Sequence, residues 1–162
     1  IKSSIFSITF SLFMIGVIAS IFFKRILWGV LAVIPLTSAV IINFGFMGYF
    51  GIELSHITAI LSSIIIGVGV DFSIHYIAQF RRLSRTVSED KLSREVVDDV
   101  GYPIILDAAS NMGFGALLFS SFLPIQYIGG LMVFAMVSTS LGTLTVLSAL
   151  AELLKKKLIE RR

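Results

Sequence analysis

Long apolar runs broken by short charged stretches set the pattern of this chain. Residues 3–23 form an uncharged run of 21, and residues 26–52 one of 27. Between 54 and 80 the single formal charge is Asp71, and 108–151 is an uncharged run of 44. A bilayer crossing needs about 20 apolar residues, so the last run holds more than one span. Pro124, with the polar Gln126 beside it, offers the natural break. The pattern predicts an all-α membrane protein with five spanning helices near 4–23, 26–48, 56–80, 101–122 and 126–153. The connections are short except for a loop at 81–100, and residues 1–162 read as one transmembrane domain. A soluble helical core would instead show polar faces at helical spacing throughout.

Composition agrees with this. The chain is 56% apolar and 14% charged, with a mean hydropathy of +0.96, whereas a soluble domain carries about 25% charged residues. If the five spans alternate, every Lys and Arg except Lys2 falls on one side. The positive-inside rule makes that side cytoplasmic and the N-terminus external, in a plasma membrane. The net charge of +3 therefore follows from topology and calls for no nucleic acid. With no cysteine there is neither a disulfide nor a thiolate metal site. The chain opens at Ile1 and enters its first span almost at once, as a piece of a larger protein would. In the loop, Ser93 is expected to cap a short helix with Leu92 stapled against Val97. Leu92, Val96, Val97 and Val100 would lay that helix on the membrane surface. Its acidic and basic residues balance, which does not mark a headgroup site.

Asp71 is the outstanding position, because a carboxylate at the centre of a membrane helix costs roughly 2.5–3.5 kcal/mol. Residues four apart share a helix face. That spacing gives Ser63, Gly67, Asp71, His75 and Gln79, all small or polar. The fourth span repeats the device with Pro103, Asp107, Asn111 and Gly115, and Ser110 beside them. Ser138, Gly142 and Thr145, next to Thr139 and Thr143, mark the fifth span, and Ser4, Ser7 and Ser11 the first. Such stripes are expected to turn toward a bundle interior or a hydrated cavity. Gly67 and Gly69 would admit a neighbouring helix. Asp71 and His75, one turn apart, read as a proton-exchanging pair. Plainer roles are a structural Asp71 bonded to a Ser or Thr, and His75 and Asp107 reaching interfacial water. His56 falls on the far side of the membrane and cannot complete a metal site, GVGVDF lacks the third glycine of a dinucleotide loop, and no nucleophile elbow or triad surrounds the Ser, His and Asp residues. No enzyme, metal or cofactor is expected.

The stretch GVGVDFSIHYIAQFRR resembles the G-x-G-x-D-[Y/F]-x-I-H signature of the resistance-nodulation-division transporter superfamily, nearest its lipid- and hydrophobe-exporting, MMPL-like branch. ILDAASNMGFGALLFSSFLPIQYIGGL is similar to that branch's following helix pair, and FKRILWGVLAVIPL to its turn into the second helix. The resemblance implies one half of a transmembrane domain, with the large external domain absent. The five spans would be helices two to six or eight to twelve, and LLKKKLIERR favours the second half. The same five-helix unit is the sterol-sensing domain of eukaryotic relatives. By resemblance, Asp71 relays protons that drive export. The family often has an acidic residue or Tyr next, whereas Phe72 neither titrates nor donates, leaving His75 or Asp107 to take over part of that work.

The resemblance thus implies the membrane core of a proton-driven exporter of hydrophobic or amphiphilic molecules, lipids among them. Two alternatives stand beside it: a non-transporting sterol- or lipid-sensing module, and a structural subunit like the family's protein-export members. The unit alone should not transport. Its partners would be the bilayer, a lipid-like substrate, and either the other half or a second copy packed on the Asp71 and Asp107 faces.

Overall fold

A computed structural model describes the backbone of residues 2–53 and 56–159, and the side chains of 5–53 and 61–159. The side chains of Ser4 and His56, the corner at 54–55 and the tail 160–162, all invoked above, lie outside the described residues. The helices are α1 (Lys2–Phe22), α2 (Ile26–Tyr49), α3 (His56–Leu83), α4 (Glu89–Asn111), α5 (Leu123–Gly142) and α6 (Ser148–Ile159). A 3₁₀ segment, Met112–Phe119, prolongs α4, and a π turn, Thr143–Leu147, joins α5 to α6 in one rod. Five stretches are long and apolar enough to cross a membrane: Ile5–Phe22, Ile26–Tyr49, Leu61–Leu83, Glu89–Phe119 and Leu123–Ile159. The chain is an all-α membrane protein with five transmembrane helices.

α2, α3 and α5 form the centre, with α1 packed outside α2 and α3, and α4 against α3 and α5. Their contact is filled by Leu31, Ile65, Phe72, Tyr76, Met132 and Met136, all almost fully buried. Trp28 meets Phe80 edge-on at 5.6 Å between ring centres, a favoured aromatic geometry. Close packing depends on Gly69: a Cβ there would stand 2.7 Å from Leu36 Cδ2 and 3.0 Å from Thr139 Cγ2. Outward, Phe6, Phe13, Ile21, Phe22, Ile26 and Phe119 are more than half exposed, a surface suited to lipid and not to water.

Two corners have the same hydrogen-bond pattern. After α2, Ile52 N–H donates to Met47 O and Gly51 N–H to Gly48 O, with Gly51 at φ 64°. After α1, Arg25 N–H donates to Ser20 O and Lys24 N–H to Ile21 O, with Lys24 at φ 56°. Both are Schellman caps, whose left-handed position glycine normally fills. At the first corner it is a lysine. Arg25 then reaches across the bundle end and donates from Nη1 to Leu158 O at 2.8 Å, capping α6.

Two expectations are corrected here. The charged stretch before residue 101 is not a surface-lying helix capped by Ser93. α4 begins at Glu89 with Ser88 as N-cap, and Glu89 and Asp90 occupy the first turn, where acidic groups favour the helix dipole. Leu92, Val96, Val100, Ile104 and Ala108 form one stripe at four-residue spacing, and all are buried against the bundle. Ser93 donates instead to Glu152 of α6. The fourth span, in turn, ends in 3₁₀ form. A Cβ on Gly129 would be 3.0 Å from Phe114 O and 2.9 Å from Leu117 Cβ, so α5 makes room for this tighter segment. Pro124 stands in the first turn of α5, where its missing N–H costs nothing, and Gln126 Nε2 donates back to Ser120 O at 2.6 Å.

Candidate functional site

α3 carries two neighbouring stripes, each displaced by one residue from the other. Phe72, Tyr76 and Phe80 point into the core, while Asp71 and His75 are exposed and Gln79 is half-buried. α4 is built alike: its buried stripe runs through Val100, Ile104 and Ala108, and the preceding positions Asp99, Pro103 and Asp107 are exposed. The two polar stripes face one groove of about 390 Å³, lined by His75, Gln79, Arg82, Asp99, Pro103 and Asp107 among others.

The end of this groove is closed by polar contacts. Gln79 Nε2 donates to Asp99 Oδ2, and Arg82 Nη2 lies 3.3 Å from the same oxygen. These contacts set the antiparallel register. One turn deeper, His75 is level with Pro103; two turns deeper, Asp71 is level with Asp107, roughly 12 Å along the axes from Asp99. Asn111 donates to Asp107 O at 3.0 Å and to Asp107 Oδ1 at 3.3 Å. Ser110 donates to Leu106 O at 2.9 Å. Asp71 and His75 have no hydrogen-bond or ionic partner among the described residues.

Of the two places expected for the stripe, the bundle interior and a cavity, the interior is not taken: within this chain Ser63, Gly67, Asp71 and His75 lie on the outside of the bundle, and His75 lines the groove. Gly67 has open space where a Cβ would stand, and only Gly69 takes a close neighbour. Phe72 is fully buried and belongs to the core, not to the polar face. In the fifth span Thr139 and Thr143 are buried; Thr139 Oγ1 donates to Ala135 O at 2.7 Å.

Asp99, Gln79 and Arg82 as a cluster escaped the sequence reading. Asp99 extends the series Pro103, Asp107, Asn111 back by one turn, so its signal was present at the same spacing. Among the described residues Ser73, Tyr76 and Thr143 carry buried hydroxyls without a partner of good geometry; of these only Thr143 was marked in the sequence. Ser148 is the polar neighbour of Tyr76 but is not placed to bond it. Among the described residues no three His, Asp or Glu side chains gather as a metal site.

These features define a polytopic helical membrane module with an ionisable groove on one side. Residues 21–157 match the family described as the sterol-sensing domain of SREBP cleavage-activation, and the chain belongs to the sterol-sensing domain family. A protein of Methanocaldococcus jannaschii, whose name describes it only as a membrane protein, is 28% identical over 151 residues. That match covers 92% of this chain and 39% of the relative, so the chain spans about two-fifths of that protein's length.

Proposed function

We propose that this chain is the membrane core of one half of a resistance-nodulation-division transporter, in which proton entry drives export of a hydrophobic or amphiphilic molecule, lipids included. The observation that carries this reading is the groove between α3 and α4. His75 and Asp107 line it, and Asp71, without a partner among the described residues, stands one turn from His75 on the same face of α3. Ionisable groups facing lipid are costly, so a second protein surface is called for. In this reading Asp71 takes up and releases the proton, His75 passes it toward the basic end, and Asp107 serves from the opposite wall. Ser63 and Gly67 continue the face beside Asp71, and Ser110 and Asn111 do so beside Asp107. The other half, or a second copy of this chain, covers the groove. The basic end lies in the cytoplasm and the N-terminus outside a plasma membrane, as the Lys and Arg distribution supports. The protein is a carrier rather than an enzyme and needs no cofactor.

The test uses proteoliposomes containing the full-length parent under an imposed proton gradient. Asp71→Asn should abolish gradient-driven proton flux and export while leaving the protein folded. Flux at the wild-type rate in that variant would remove Asp71 from the relay.

A second reading is favoured by one observation, the family match across residues 21–157. The chain would then be a sterol- or lipid-sensing module that binds its ligand between helices and moves no protons. Intact lipid binding with no proton flux in the wild-type parent would select it.

A further inference from the structure

Away from the α3–α4 groove, α1 and α2 enclose an apolar trough of about 790 Å³, with Phe13, Gly16, Val30 and Val33 among its walls. Its floor is tight: a Cβ on Gly29 would lie 2.3 Å from Gly16 O. Of the four hydroxyls along it, all but that of Thr9 at the far end are already spent on their own helices. Ser20, Thr37 and Ser38 donate to Gly16 O, Val33 O and Ile34 O at 2.6, 2.9 and 3.1 Å. The trough therefore offers no free donor from these groups to a neutral polar ligand.

All the charge is at one end. There the trough shares Ser20, Ile21 and Ile26 with a second hollow of about 920 Å³, whose lining adds Lys24, Arg25 and Lys157 and, among the described residues, no carboxylate. Along α1 the trough runs from Thr9 to Ile21. That is roughly 18 Å of helix axis, slightly more than the ~15 Å hydrocarbon depth of one leaflet. Lys24 occupies the strained left-handed position of its cap, where glycine serves at the equivalent corner after α2. A strained residue kept beside a cavity points to a role for its side chain.

We propose that the trough and its basic mouth hold one anionic phospholipid, with an acyl chain between α1 and α2 and its phosphate against Lys24, Arg25 and Lys157. Charge complementarity selects the headgroup, and the length and apolar walls of the trough select the chain. The site is independent of the proton-relay reading, since it shares no residue with the α3–α4 groove.

The test is native mass spectrometry of the chain released from vesicles of equal phosphatidylglycerol and phosphatidylcholine, reading the ratio of the two lipids bound. Lys24→Gly relieves the backbone strain while removing the amine, so a loss of binding cannot be blamed on unfolding. Lys24→Gly and Lys157→Gln should each lower the phosphatidylglycerol preference about fivefold. Lys91→Gln, the same charge change at an exposed position outside both hollows, should leave it unchanged. The proposal is overturned if Lys91→Gln lowers the preference equally, if neither mouth variant lowers it, or if millimolar inorganic phosphate displaces the lipid.

Discussion

Gln79 donates its side-chain amide to the carboxylate of Asp99, and through that contact α3 and α4 are held in one register. Because both polar stripes repeat every four residues, this single contact brings Asp71 level with Asp107. Asp107 lines the groove, and Asp71 stands beside it on the exposed face of α3, two groups that lipid cannot solvate as charges.

The register has a direct check, since the chain contains no cysteine to compete. Paired Asp71→Cys and Asp107→Cys should cross-link with a short thiol reagent in lipid. Asp71→Cys with Asp99→Cys, roughly 12 Å off level, should react far more slowly. Equal rates for the two pairs would show that the helices are not in this register.

Adjacent residues on α3 should behave oppositely. Phe72→Ala empties a fully buried ring position and should cost about 3–5 kcal/mol. Asp71→Asn changes an exposed group without a partner and should stay within about 0.5 kcal/mol. Unfolding in mild detergent, read by circular dichroism, compares them.

Gly67 and Gly69 separate internal packing from assembly. Gly69→Val would drive side-chain atoms into Leu36 and Thr139, at a cost of about 1–3 kcal/mol. Gly67→Val meets no neighbour within this chain, so it should leave the monomer's stability nearly unchanged. It should instead weaken whatever packs on the Asp71 face. Cross-linking of the chain in lipid vesicles, with and without Gly67→Val, reads this as lost dimer, and a wild type that is only monomeric would argue against pairing of copies.

Arg25 fastens the end of α6. Its Nη1 donates to Leu158 O and its Nη2 lies 3.5 Å from Lys157 O. Replacing it by Gln should cost about 1.5–3 kcal/mol, the range for hydrogen bonds to charged groups. The loss should appear locally, as faster hydrogen exchange of the amides around residues 155–159 rather than of α3.

Much of this architecture can be read from hydropathy alone, because a bilayer requires long apolar helices and punishes stray charge. α2 shows this best: the span expected at 26–48 is a helix from Ile26 to Tyr49. The beginning of α4 was hidden by its own charges. Glu89 to Asp99 reads as a loop until Leu92, Val96 and Val100 are joined to Ile104 and Ala108. The 3₁₀ form of Met112–Phe119 depends on Gly129 of another helix, which no local pattern records. For the site, four-residue spacing identified Asp71, His75 and Asp107 as stripes. It left open whether they turn to the bundle interior or to a cavity at its edge, since the sequence of one unit does not say what lies beside it.

The π turn at Thr143–Leu147 has a consequence for motion. Gly142 lies against Pro35, with a Cβ on the glycine 3.7 Å from Pro35 Cβ, and just beyond it the last rod carries one residue more per turn than an α-helix does. In the language of crystals this is a dislocation. It can travel by exchanging one hydrogen bond at a time, and each residue it passes is turned once by about 100° about the rod axis while the parts beyond it keep their place. A screw motion of that kind would carry Glu152 away from Ser93 and free α4 from α6 while the outer half of the rod stays in place. Amide exchange within Thr143–Leu147, faster than in the turns on either side, would be its signature.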